Sequence, residues 1–206
     1  MKKIILIGIL LVLACSNTGV DYYPLFQGSI RVYDVERTVI LGKDTTTQEL
    51  KQVTKVIDKK PHDYWDEVWQ VVTQETNLPA AVAYIRKTKS EIRLTQTLND
   101  TTGEMKQLVL PLAVGNSWVV ALSPTDTLIG TVMGIERIKV PVGEFDSCYK
   151  VEIKAANAPL NRKMWLAPNI GIVKNEIKSV YTEDKEEKII IEKSILSQYN
   201  TKPSND

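Results

Sequence analysis

Two cysteines and one histidine bound the chemistry open to this chain of 206 residues. Cys148 stands between Ser147 and Tyr149, and His62 between Pro61 and Asp63. A thiol nucleophile needs an activating base, and His62 is the one imidazole that could supply it. Cys148 is read instead as a small buried hydrophobe, and His62 as a surface-loop residue. Two cysteines do not build a cysteine-rich zinc site, and one histidine excludes a histidine pair. No metal or other cofactor is therefore expected. The chain has no Gly-x-Ser-x-Gly elbow, no P-loop, no Rossmann glycine triplet and no His-Glu-x-x-His. Its 25 acidic side chains leave one hydrolytic chemistry open, a carboxylate pair set across a sheet as in glycosidases. Sequence does not pair carboxylates across strands, so no catalytic residue is assigned and a non-enzymatic role is expected.

The aromatic residues offer binding rather than bond-making. Trp65, Trp69, Trp118 and Trp165, with Tyr22, Tyr23 and Tyr33, have the area to line a groove for lipid, glycan or peptide. The competing reading is that they fill the core of a β domain. Lys+Arg number 26 against 25 Asp+Glu, for a net charge of +1, so there is no basic field for nucleic acid. A 43% hydrophobic fraction with 25% charge is that of a globular chain.

The elements that must position these side chains read as strands. Ser29 to Ile40 is rich in β-branched residues, with Ile30, Val32 and Ile40 on one face. Two strands at 80–88 and 91–98 flank a turn at Lys87–Ser90, and further strands are predicted at 104–110, 116–122, 127–140, 147–155, 171–181 and 187–196. The last two flank the charged tip Thr182–Glu187, which lacks the spaced Asp/Asn and Gly of a calcium loop. Residues 62–73 carry both a helical and a strand pattern, with a strand favoured by the β context, and 48–57 is ambiguous. Pro24-Leu25-x-x-Gly28 and Pro111-Leu112-x-x-Gly115 repeat one another. Pro withholds a donor and Gly permits a positive-φ turn, so each is expected to lead into a strand and tuck its Leu under a sheet edge. With no Pro/Gly/Ser linker, residues 22–200 are read as one β domain, followed by a polar tail at 201–206.

The N-terminus carries an address. Lys2 and Lys3 precede Ile4 to Ala14, an apolar run of eleven residues. About 20 are needed to cross a bilayer as a helix, so the pattern is that of a signal peptide over residues 1–14. Val12-Leu13-Ala14-Cys15 resembles the lipobox of bacterial lipoproteins. The resemblance implies a diacylglyceryl thioether, usually with a further acyl chain, on Cys15, followed by a short tether at 15–21. At about 0.8 kcal/mol per buried CH2, two or three chains anchor a protein stably. Ser16 rather than Asp follows, so no inner-membrane retention signal is implied, and in a diderm host the outer membrane is the expected location. Removal of 1–14 takes two lysines, leaving 24 basic side chains against 25 acidic.

Two phrases in the second half extend the resemblance: Val140-Pro141-Val142-Gly143-Glu144-Phe145 and Trp165-Leu166-Ala167-Pro168-Asn169-Ile170-Gly171-Ile172-Val173-Lys174. They resemble uncharacterised bacterial envelope lipoproteins with a Val-Pro-Ala-Gly-x-Phe phrase and a Trp-x-Ala-Pro-Gly-x-Gly-x-Val-Lys phrase. Asn169 stands where those have Gly, a substitution suited to a left-handed position. The phrases are expected to form a β-arch anchored by Phe145 and a tight turn at Pro168-Asn169. Such families look like the half-barrel of the LolA/LolB lipoprotein carriers. The resemblance implies a curved antiparallel sheet, a half or open barrel with at most one or two short helices. Its concave face would hold a lipid or other hydrophobic ligand, with Trp118 and Trp165 lining the cavity. The alternative is an accessory subunit that meets an envelope protein partner and takes no small ligand.

Overall fold

The structure, a computed structural model, describes residues 19–62, 68–99, 102–123, 126–183 and 186–200. Twelve strands follow one another: β1 Ile30–Leu41, β2 Asp44–Lys60, β3 Val68–Glu75, β4 Ala81–Lys87, β5 Glu91–Thr95, β6 Met105–Val109, β7 Ser117–Leu122, β8 Thr127–Val140, β9 Gly143–Ala155, β10 Asn161–Ala167, β11 Gly171–Glu183 and β12 Glu186–Asn200. No helix occurs among the described residues. The predicted curved antiparallel sheet is thus present, wound further towards closure than a half-barrel.

One sheet holds all twelve strands in the order β6-β5-β4-β3-β2-β1-β12-β11-β10-β9-β8-β7. Every neighbour except β12 and β1 is also the next strand in sequence, so short hairpins do nearly all the winding. The chain closes on itself by pairing its first strand with its last, Ile30 opposite Asn200 through Leu41 opposite Lys188. Register shifts in several ladders, such as those at Val56/Asp58, Val132/Gly134 and Trp165/Leu166, add the twist that curls the sheet.

The two Pro-Leu-x-x-Gly segments are the same device used twice. Ser29 N donates to Phe26 O at 3.0 Å, and Asn116 N to Ala113 O at 3.1 Å. Gly28 N then donates to Val56 O and Gly115 N to Val132 O, both at 2.9 Å. Gly28 has φ 78° and Gly115 φ 90°, where a Cβ is disfavoured. Leu25 and Leu112 are each 7% exposed and enter the same apolar cluster. The first segment opens β1–β6 and the second β7–β12, which divides the sheet into two halves of six strands.

Two apolar clusters hold the sheet. The larger draws Val56, Val71, Ile85, Ile92, Leu108, Val132, Val151 and Met164 together with Leu25, Leu112 and Trp118. The other joins Tyr33, Val35 and Leu196 to Ile138, Val140, Cys148, Trp165, Ala167 and Val173. Alternation along β10 sends Met164 and Leu166 to the first and Trp165 and Ala167 to the second.

Three sequence expectations change. On β1 the deeply buried positions are Arg31, Tyr33 and Val35, while Ile30, Val32 and Ile40 are only partly covered. The apolar alternation misleads there because the enclosed face is partly polar. The Val140–Phe145 phrase is not an arch but a hairpin, with Val140 opposite Gly143 in a direct ladder. β2 and β10 form full strands although one read as ambiguous and the other carried no strand signal. The ambiguous tract at 62–73 is a strand from Val68, and its residues 63–67 lie outside the described residues.

Candidate functional site

The N-terminal lead-in is clamped across one end of the sheet. Asp21 N donates to Asn169 Oδ1 at 3.0 Å and Asn169 N to Asp21 O at 2.7 Å. Asn169 has φ 59°, the left-handed conformation expected of it, and that conformation turns its backbone N–H and side chain to the lead-in. On the other side Lys87 Nζ pairs with Asp21 and donates to Tyr23 O at 2.9 Å. Tyr22 meets Tyr149 edge-on, with ring centroids 5.0 Å apart.

These contacts frame an open groove of about 780 Å³. Its apolar lining comes from Tyr22, Leu25, Trp69, Leu110, Leu112 and Tyr149, with Lys87 and Lys89 at the β4–β5 turn. Gly19 and Val20, where the described chain begins, form part of the same wall. An apolar floor with Lys89 and the Lys87–Asp21 pair at its margin suits an amphipathic guest whose tail is covered and whose head stays wet.

A second space lies inside the curve of the sheet. It has a volume of about 250 Å³ and is lined by one face of strands from β5 round through β1 and β12 to β10. Its wall carries the polar side chains of Arg31, Gln52, Thr54, Thr73, Arg162 and Asn175. Tyr33 donates its hydroxyl to Ile172 O at 3.0 Å, and burial pushes its pKa up to about 12. The remainder of the concave face is filled by side chains of the larger cluster.

The four tryptophans have separate fates. Trp65 lies outside the described residues, as does Cys15. Trp69 is partly covered and lines the groove, with Lys59 Nζ 5.0 Å above its ring. Trp118 is 8% exposed; its indole N–H donates to Lys106 O at 2.9 Å and thereby ties β7 to β6. Trp165 is 3% exposed and donates to Glu136 Oε2 at 2.7 Å, with Lys150 and Lys174 5.3 and 4.4 Å from its ring. Trp118 and Trp165 therefore sit in different clusters, and neither lines the groove or the interior cavity.

The other reactive groups are held in structural roles. Cys148 is fully buried in the second cluster, its thiol directed at Phe145 O at 3.6 Å. Desolvation, followed by the charges of Asp146 and Glu136, pushes that thiol up to about 11, which keeps it protonated at neutral pH. His62 follows β2, and the buried hydrophobic residues packed with Cys148 come from β1, β8, β10, β11 and β12. Carboxylates do meet across the sheet, but on arginines: Glu75 and Glu192 share Arg37, each at 2.7 Å, and Glu91 and Glu104 share Arg93. The Arg93 guanidinium holds Glu91 below the usual carboxylate range, the opposite of what a general acid needs. Among the described residues no cluster of His, Cys, Asp and Glu is arranged to hold a metal ion, and no helix is long and apolar enough to cross a membrane.

Sequence reasoning passed over Arg31, Arg162, Leu110 and Tyr149. The arginines left one signal, a charge inside a strand with β-branched or aromatic neighbours. Leu110 and Tyr149 left none, because the groove is assembled from segments far apart in the chain.

No protein-family model matches the chain, and no curated protein matches it. Solved structures do share its shape. A protein from Bacteroides fragilis, described as exported and as having a YmcC-like fold, aligns over 88% of this chain and 99% of its own, with 15% identity and a TM-score of 0.50. A Parabacteroides distasonis protein described as a lipoprotein aligns over the same shares with 14% identity and a TM-score of 0.43. A DUF1329-family protein from Desulfovibrio piger aligns with 8% identity over 84% of this chain and 85% of its own, with a TM-score of 0.22. The first of these likenesses extends the YmcC-like fold to this chain; at such identity it says nothing of ligand or chemistry.

Proposed function

We propose that this chain is an exported, non-enzymatic lipoprotein, anchored by acyl chains on Cys15, that binds a lipid or another hydrophobic envelope ligand in the groove at its tether end. The observation that carries this reading is the position of the groove. Gly19, Val20 and Asp21 form part of its wall, and Gly19 is only four positions on from Cys15. Four residues span at most about 14 Å, so an anchored Cys15 holds the mouth of the groove at the membrane surface. A lipid could then pass its acyl chain onto Trp69, Leu25 and Leu112 while its head remains by Lys87 and Lys89. That the Bacteroides fragilis neighbour is described as exported supports the location. In a diderm host the outer membrane is the expected site, since Ser16 follows the modified cysteine.

Fluorescence tests the reading. Vesicles carrying phospholipid brominated on its acyl chains are expected to quench wild-type tryptophan emission, and much less that of Trp69→Phe. Equal quenching of both proteins, or none of either, counts against the groove. The anchor is tested separately: Cys15→Ala is expected to release the protein from membranes.

A second reading, an accessory subunit of an envelope complex, is favoured by a different surface. Val119, Ile129, Met133 and Ile135 are 42–51% exposed and Leu122 is 75% exposed, all on the pair β7 and β8. Contiguous exposed apolar area of this kind marks contact sites. Crosslinking from Ile135 that returns one specific envelope protein would establish it.

A further inference from the structure

Among the described residues, two guanidiniums and no carboxylate line the interior cavity. Arg31 and Tyr33 lie on one face of β1, and Arg162 faces the same enclosed space from β10. Arg37, outside that lining, pairs with Glu75 and Glu192 at 2.7 Å each. Arg31 turns its donors to backbone carbonyls, Nε to Ile170 O at 3.0 Å and Nη2 to Pro24 O at 2.7 Å. Arg162 makes one hydrogen bond among the described residues, Nε to Asn175 Oδ1 at 2.8 Å. Both of its terminal amino groups are left without an acceptor there, although a guanidinium carries five donors in a fixed fork.

Arg162 is only partly covered, so its terminal amino groups are open to a guest in the cavity. Desolvation draws Arg162 below its usual range, opposed by Tyr23, Glu192 and Tyr33, and the hydroxyls of Tyr23 and Tyr33 sit within the fields of both Arg31 and Arg162. The wall also carries Thr54, Thr73 and Ser194, all able to donate to an oxyanion, with Thr54 opposite Arg31 in the β1–β2 ladder. Across the cavity the wall is apolar, with Val71, Ala83, Ile85 and Leu94. The volume, about 250 Å³, lies just below the range of drug-sized pockets and fits a small organic molecule.

We propose that this cavity is a second binding site, distinct from the groove, for a small amphipathic anion: a carboxylate or phosphate monoester whose head engages the free fork of Arg162 beside Arg31, and whose short apolar body lies against Ile85 and Leu94. The site is complete apart from its anion. Its hydroxyls and amides orient the head, and the guanidinium fork selects a planar or tetrahedral oxyanion over a neutral group.

The test is calorimetric titration of the full acylated chain, in non-ionic detergent, with hexanoate, hexyl phosphate, inorganic phosphate and hexanol. One of the two amphipathic anions is expected to bind saturably at one per chain, at least tenfold tighter than hexanol. Inorganic phosphate is expected to bind at least tenfold more weakly than hexyl phosphate, because it leaves the apolar wall bare. Arg162→Met is expected to lose at least tenfold in anion affinity. Its Tm without ligand is expected to equal or exceed that of the wild type, because a partly desolvated charge with a single hydrogen bond has been removed. Hexanol binding as tightly as the anions, no saturable anion binding, or anion binding unchanged in Arg162→Met would each overturn the proposal. The comparison of anions with hexanol uses wild-type protein alone and needs no variant to fold. Groove occupancy is read by fluorescence quenching at Trp69, so failure of either site leaves the other standing.

Discussion

The two junctions between the halves of the sheet are built on different principles. Where β12 meets β1, an unbroken run of β1 residues from Ile30 to Leu41 pairs with its partner, interrupted by one register shift. Where β6 meets β7, no ladder forms, and the indole of Trp118 reaches over to Lys106 O instead. The lead-in loops at these two places are nearly identical in hydrogen bonding, so the difference does not arise in the turns. It arises in strand length: β6 has 5 residues and β7 has 6, against 12 and 15 for β1 and β12. Closure by ladder makes a permanent wall, whereas closure by one side chain leaves a seam that can part. The groove lies beside that seam, since Leu110, Pro111 and Leu112 form its wall between β6 and β7.

The largest effect is expected from removing the side chain that closes the seam. Trp118→Ala should cost about 3–5 kcal/mol, the range for emptying a buried aromatic site. Chemical denaturation measures it, and hydrogen exchange should show β6 and β7 amides losing protection while those of β1 and β12 keep theirs. If β1 and β12 lose protection equally, the two junctions are not independent and the contrast fails.

Next comes Gly130, which makes room for the same ring. A Cβ placed there would stand 2.5 Å from a Trp118 ring carbon, closer than such atoms approach. Gly130→Ala should therefore displace the indole from Lys106 O and cost about 1–3 kcal/mol by overpacking. A Gly130→Ala protein as stable as wild type would show that the seam tolerates a shifted indole.

A smaller change probes the clamp on the lead-in. Asn169→Ala removes the acceptor of Asp21 N and places an alanine at φ 59°, for which about 1–2 kcal/mol is expected. Asn169→Gly relieves the backbone and loses only the side-chain bond, so it should fall between Asn and Ala in thermal stability. Equal loss in both variants would assign the whole effect to the hydrogen bond.

The smallest effect is on pH dependence, and it belongs to the cluster remote from the seam. Lys150 and the Trp165 indole donate to Glu136 and hold its carboxyl below the ordinary 4.5. The folded state thus favours the ionised form. Its contribution is complete above about pH 4.5 and is lost as pH falls through the lower folded value. Glu136→Gln should flatten part of the acid limb of a stability curve, modestly, because the side chain is 40% exposed. An unchanged acid limb would remove Glu136 from the account.

Local devices were legible in the sequence and closure was not. The Pro-Leu-x-x-Gly repeat announced two equivalent lead-ins, and Asn169 announced a left-handed turn, because each depends on residues within one turn of chain. Most strands were visible from β-branched content and flanking turns. β10 was missed because Asn161-Arg-Lys-Met164 has polar residues on both faces, and its inward Arg162 serves the cavity rather than the core. The seam was invisible because nothing near Trp118 reveals that Lys106 stands opposite. The tryptophans drew attention as a set, yet the fold distributes them: one to the seam, one to a lysine-flanked slot, one to the groove. A groove made of Tyr22, Trp69, Leu112 and Tyr149 joins four distant segments, and sequence spacing carries no record of that meeting.

Native mass spectrometry of the chain beginning at Ser16, exported to a bacterial periplasm and purified without detergent, tests the central claim most directly. The account predicts a mass above that of the polypeptide, removable by organic solvent, and absent when Trp69→Glu places a charge in the groove. A bare polypeptide mass, persisting after incubation with phospholipid vesicles, would contradict it and leave the exposed face of β7 and β8 as the functional surface.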